Sequence, residues 1–159
     1  MTTLVTTPGA VNANSYTSLL EALDHVGTLT FVKGWPAGEA EQEALLKQAF
    51  RKMNTLDFRG TRTAPEEAQA GAFPRWGICD RDGFLVPSNV IPRAVKPAQI
   101  DLAIWLGAKN RNIDAAPARL KIGGLEIEGQ TAQEFPDHVL AQMAPYLKSY
   151  GNNIRLERA

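Results

Sequence analysis

The sequence predicts a mainly α-helical fold: a small domain of about four helices with a long ordered loop, a short β-hairpin and extended N- and C-terminal arms. Apolar residues recur at helical spacing in four stretches, most of them bounded by a capping residue, a glycine or a proline. Between the second and third of these the period is lost, from Phe58 onward, in a run rich in Gly, Pro and Arg. Two short segments on either side of Gly123-Gly124 alternate apolar and charged residues, the pattern of a hairpin with one wet face.

Residues 1–15 are rich in Thr, Asn and Gly and read as an extended arm. The first helix starts at Ser18, which forms a capping box with Glu21; Leu19, Leu20, Leu23 and Val26 make its apolar stripe, and Gly27 ends it. Phe31 to Pro36 links it to a second helix over about Glu39 to Asp57. There Leu46, Ala49, Phe50, Met53 and Leu56 recur, acidic residues precede basic ones as the helix dipole favours, and Glu43 can pair with Lys47 one turn on. Thr63 is placed to cap a short helical piece beginning at Pro65, and Asp82-Gly83 suits a tight turn between Ile78 and Phe84-Leu85-Val86. A third helix has Pro92 at its first position and Val95, Ala98, Leu102, Trp105 and Leu106 on one face; Pro97 is expected to kink it and Gly107 to end it. The hairpin pairs Arg119–Ile122 with Leu125–Glu128. The last helix covers about Pro136 to Tyr150, with Pro145 as a second kink. One helical domain over residues 16–150, flanked by arms at 1–15 and 151–159, follows from this reading.

At 159 residues the chain is long enough for one core that buries roughly 70% of its unfolded surface. Seventeen basic and seventeen acidic residues cancel, which argues against a dedicated nucleic-acid binder while leaving room for a local basic patch. The single cysteine, Cys79, cannot form an internal disulfide. No stretch reads as a signal peptide or a membrane span, so synthesis in the cytoplasm and no membrane partner are expected.

No enzyme is expected, and no catalytic, cofactor-binding or metal-ligating set is assigned. His25 and His138 lie near no Ser, Cys or Asp at catalytic spacing and read as surface or interface imidazoles. Cys79 reads as a small buried residue. Asp80-Arg81-Asp82-Gly83 fails as a calcium loop because Ile91 stands at the twelfth position, where a bidentate Glu is required.

The basic residues are the ambiguous signal. Arg51, Lys52, Arg59, Arg62, Arg75, Arg81, Arg93 and Lys96 fall close together, with Phe58, Phe73 and Trp76 interleaved. Aromatic rings beside arginines can hold single-stranded nucleic acid. Intervening acids leave two other readings open: salt bridges that fix a loop, or contacts to an acidic partner.

In order and spacing, Asn12-Ala13-Asn14-Ser15-Tyr16, Phe58-Arg59-Gly60-Thr61-Arg62-Thr63, Phe73-Pro74-Arg75, Asp82-Gly83, Ile91-Pro92, Gly124-Leu125-Glu126-Ile127-Glu128 and Ala144-Pro145-Tyr146-Leu147 resemble a family of tailed-phage and prophage proteins. These are often labelled DnaT-like, after a similarity to a primosomal single-strand DNA-binding protein. The chain departs from the pattern in a longer Gln69–Ala72 segment and in Pro97. The resemblance implies a virion structural protein at the neck: a head–tail connector forming a ring, dodecameric by resemblance, under the portal. Its partners would be other copies of itself, the portal protein, a tail or further neck protein, and packaged DNA contacted without sequence specificity. Arg59, Arg62, Phe73, Arg75, Trp76, Ile154, Arg155, Leu156 and Arg158 are the expected interface residues. The alternative is a DnaT-like single-stranded DNA-binding accessory protein of replication.

Overall fold

Two helices carry the core. Helix α2, Glu39–Met53, buries Leu46, Ala49, Phe50 and Met53 against α3, Val95–Asn110, which contributes Val95, Ala98, Leu102, Ala103 and Leu106. The structure, a computed structural model, describes residues 3–110, 119–122, 125–128 and 134–148. Helices α1, Leu19–Gly27, and α4, Asp137–Met143, both pack on α3, and a 3₁₀ turn, Ala144–Tyr146, extends α4. Two antiparallel ribbons complete the fold. Strand β1, Thr61–Arg62, pairs with β2, Arg75–Trp76; strand β3, Arg119–Ile122, pairs with β4, Leu125–Glu128, in the register Arg119–Glu128 to Ile122–Leu125. The fold is mainly helical, with four α-helices among the described residues.

The α2–α3 interface is tied by one buried amide. Gln99 is fully buried; its Oε1 accepts from the Tyr16 N–H at 2.8 Å, and its Nε2 donates to Ser15 Oγ at 2.9 Å and to the Leu46 carbonyl at 2.8 Å. A buried amide left without partners is costly, so this one specifies which part of the chain lies over the two helices. Gly107 and Gly34 allow the next close approach: a Cβ on Gly107 would sit 1.9 Å from the Gly34 carbonyl oxygen. Gly107 is therefore a packing residue inside α3 rather than its end, and the helix runs on to Asn110.

Other expectations are corrected by local geometry. The capping box of α1 forms as expected, but Leu20 and Leu23 face outward, 71% and 43% exposed, and the buried positions are Leu19 and Ala22. Helix α2 stops at Met53 rather than Asp57, because Asn54 caps it and is held by the loop. Pro97 does not kink α3. The helix begins at Val95 instead of Pro92, so Pro97 falls in the first turn, where no intrahelical donor is required. Pro65 starts a single turn, and Thr63 donates to the Gln69 side chain instead of capping a helix. At Pro145 the α4 helix passes into the 3₁₀ turn. The Asp82-Gly83 turn is present: Asp80 N–H donates to the Phe84 carbonyl and Val86 N–H to that of Ile78.

Residues 3–15 lie on their own domain. Thr3 donates from its N–H and hydroxyl to the buried Glu43 carboxylate, Asn14 Oδ1 accepts from Val5 N–H at 2.8 Å, and the Ala70 N–H reaches the Ala10 carbonyl. The C-terminal arm expected at 151–159 lies outside the described residues.

The long loop is anchored by a chain of rings. Phe73, 1% exposed, meets Tyr16 at 5.9 Å, Phe58 at 4.9 Å and Tyr146 at 6.0 Å between centroids, all edge-on, and Tyr16 stacks obliquely on Phe50 at 4.7 Å. Phe73→Ala is expected to cost about 3–5 kcal/mol, read as a lowered midpoint in urea denaturation. A cost under about 1 kcal/mol would show that the loop is held without it.

A second prediction concerns acid. Burial alone would raise the Glu21 carboxyl, but the Lys96 ammonium at 2.5 Å and the Ser18 groups outweigh it and hold the pKa at about 2, below the ordinary 4.5. A depressed carboxylate contributes stability above its unfolded pKa and loses it as pH falls through the folded value. Relative to Glu21→Gln, the wild type should therefore be more stable at pH 7, and this advantage should shrink between about pH 4.5 and pH 2. Thermal melts with parallel acid branches would contradict this.

Candidate nucleic-acid interface

The β1–β2 ribbon divides the basic stretch into two sides. Thr61 pairs with Trp76 and Arg62 with Arg75, so strand alternation puts Thr61 and Trp76 on one face and the two arginines on the other. Gly60 makes the approach possible: with φ +69°, it lies where a Cβ would stand 2.0 Å from the Trp76 carbonyl oxygen. Trp76 is 59% exposed, whereas Phe58 and Phe73 are buried in the core. The interleaving of aromatics and arginines seen in the sequence thus separates into two core rings and one surface ring.

The arginines separate likewise. Arg75 is half-buried and is spent on backbone: Nε donates to the Arg59 carbonyl at 2.7 Å, Nη1 to Ala72 at 3.0 Å, and Nη2 to Gly60 at 2.8 Å and Phe58 at 3.4 Å. Burial, and then the neighbouring Arg62 charge, push its pKa down. Arg59 is exposed and uses its N–H and Nε on the Tyr146 and Leu147 carbonyls, both at 2.7 Å, leaving its terminal nitrogens without a partner among the described residues. Among the described residues Arg81 donates once, from Nη2 to the Ala141 carbonyl. Arg62 makes, among the described residues, only a loose pair with the exposed Glu66, at 3.7 Å.

Two grooves flank the ribbon. One, of about 620 Å³, is lined by Arg62, Arg75, Thr61, Thr63, Asn54 and Glu66. The other, of about 530 Å³, is lined by Arg59, Arg81, Gly77, Asp80 and Gly83, beside the exposed Phe84. Asp80 Oδ1 accepts the Asp82 and Phe84 N–H groups. The loop between the strands is held by Gln69, fully buried, whose four hydrogen bonds go to Thr63 Oγ1, the Ala64 N–H and the Gly71 and Pro74 carbonyls.

Of the expected interface residues, the structure brings Arg59, Arg62 and Trp76 to the surface of this ribbon, and turns Phe73 and Arg75 inward. Ile154, Arg155, Leu156 and Arg158 lie outside the described residues. Arg81 and Phe84 join the site through the turn that Asp82-Gly83 announced. Asn54 carried no signal in the sequence, where it fell inside the helix expected to run to Asp57. Cys79 is exposed rather than buried. His25 joins α1 to α3 through Asp101 at 2.9 Å, and Gln142 of α4 donates to the same carboxylate. Among the described residues no cluster of three or more His, Cys, Asp or Glu could hold a metal, and no helix is long and apolar enough to cross a membrane.

A family model described as "Putative DnaT-like ssDNA binding protein" matches residues 1–159. No curated protein and no solved structure matches the chain. The family match overturns the head–tail connector reading: its description names single-stranded DNA binding over the whole chain, the alternative in the sequence analysis.

Because Arg75 caps four carbonyls, Arg75→Ala is expected to destabilise the fold by about 2 kcal/mol, and Arg75→Lys to recover little, since one ammonium cannot span them. Arg62→Ala should leave stability within about 0.5 kcal/mol. Chemical denaturation of the three variants checks both; equal stability of Arg75→Ala and wild type would refute the staple.

Proposed function

The chain belongs to the DnaT-like single-stranded DNA-binding family, and we propose that it binds unpaired DNA across the β1–β2 ribbon as an accessory protein of replication. The observation that carries this reading is Trp76: a large ring, more than half exposed, on a ribbon flanked by arginines with unspent donors. Any base offers a π-face, so stacking on Trp76, with Phe84 as a second exposed ring, holds a strand without reading its sequence. Arg59, Arg81 and Arg62 then meet phosphates, and Arg75 keeps the ribbon in shape. With a net charge of zero, binding depends on these few cations rather than on a general basic surface.

Anisotropy titrations of a labelled oligo(dT) at low salt test this. Trp76→Ala should weaken binding about fivefold to a hundredfold, as the loss of one stacked base implies. Arg62→Ala should lower the slope of log K against log salt by about 0.7. Absence of binding at low salt, or a Trp76→Ala protein that binds like wild type, would overturn the proposal.

A further inference from the structure

Asn54, at the end of α2, lines the 620 Å³ groove beside Arg62. Its side-chain amide is held in one sense. Oδ1 accepts the Ala72 N–H at 3.0 Å and also the Tyr16 hydroxyl, which itself accepts the same N–H at 2.9 Å. A backbone N–H can only donate, so the oxygen must face the loop and the NH₂ group must point the other way. Burial pushes the Tyr16 phenol up to about 12, so it remains a donor to that oxygen at ordinary pH. The Asn54 NH₂ has no partner among the described residues and is presented as a fixed pair of donors in a groove of the size that takes small organic ligands.

We propose that this groove takes a nucleobase of the bound strand, and that Asn54 makes it select keto bases over amino bases. This rests on the single-strand reading above. A donor-only group pairs with the exocyclic oxygen of thymine, uracil or hypoxanthine. With the base seated so that its exocyclic 4- or 6-position faces Asn54, the same group meets a second donor at the amino group of cytosine or adenine. Arg62, tethered only by its loose pair with Glu66, lies beside the groove to meet the adjoining phosphate. Thr63 Oγ1 is already donating to Gln69, and the two carboxylates of the lining, Glu66 and Asp57, are paired with Arg62 and Lys148. Trp76 on the opposite face holds a neighbouring base by stacking, so affinity and selectivity reside on different sides of the ribbon.

The test uses the full chain and four labelled octamers in which each pair exchanges a keto for an amino group and, with it, an adjoining ring N–H for a bare ring nitrogen: dU₈ against dC₈, and dI₈ against dA₈. Wild-type protein should prefer the keto member of each pair by about threefold to tenfold, the worth of one hydrogen bond. Asn54→Asp keeps acceptors for Ala72 and Tyr16 while deleting the donors, and should abolish or invert both preferences. Equal affinities of the wild type for both members of each pair overturn the proposal, whatever the variant does. An Asn54→Asp protein that melts like wild type and keeps both preferences overturns it as well. If none of the four octamers binds, the single-strand reading fails with it.

Discussion

The Phe73 ring is the point on which the rest of the molecule depends. The chain between β1 and β2 has no helix and only two residues of strand at each end, so it cannot hold itself by backbone hydrogen bonds alone. Phe73 gives it an apolar anchor by meeting Tyr16 from the N-terminal segment, Phe58 from the start of the loop and Tyr146 from the last turn. Three remote stretches of chain are brought together by one side chain.

Three buried or half-buried polar side chains satisfy backbone groups. Gln99 ties α3 to α2 and to the segment entering α1; Gln69 closes the loop on itself; Arg75 caps the carbonyls of the ribbon. Each replaces hydrogen bonds that a regular sheet or helix would have supplied. An irregular loop made this way is rigid enough to present Trp76 outward, because its backbone groups have defined partners.

The consequence for the site is a division of labour among residues that look alike in sequence. Arg75 and Arg62 are paired across the ribbon, yet one is spent on four carbonyls and the other on a loose pair with an exposed glutamate. Phe73 and Trp76 are three positions apart, yet one is core and the other surface. Composition could mark the stretch as basic and aromatic. It could not say which of its members were already engaged, because the partners of Arg59 and Arg81 come from Tyr146, Leu147 and Ala141, 60 or more positions away.

What the sequence by itself determined is local. The helical class, the capping box at Ser18 and Glu21, the turn at Asp82-Gly83 and the hairpin pairing of Arg119–Ile122 with Leu125–Glu128 all depend on residues a few positions apart, so periodicity and turn chemistry suffice. The tertiary structure decided whatever depends on distant neighbours. It set the outward face of Leu20 and Leu23, made Gly107 a packing residue rather than a stop, and formed the β1–β2 ribbon from two dipeptides too short to announce themselves. It also oriented Asn54, whose amide acquires a direction only when the Ala72 N–H, 18 residues on, gives its oxygen a donor. Propensity and pattern reach one or two turns along a chain, and the choice between core, staple and surface is made by contacts far beyond that range.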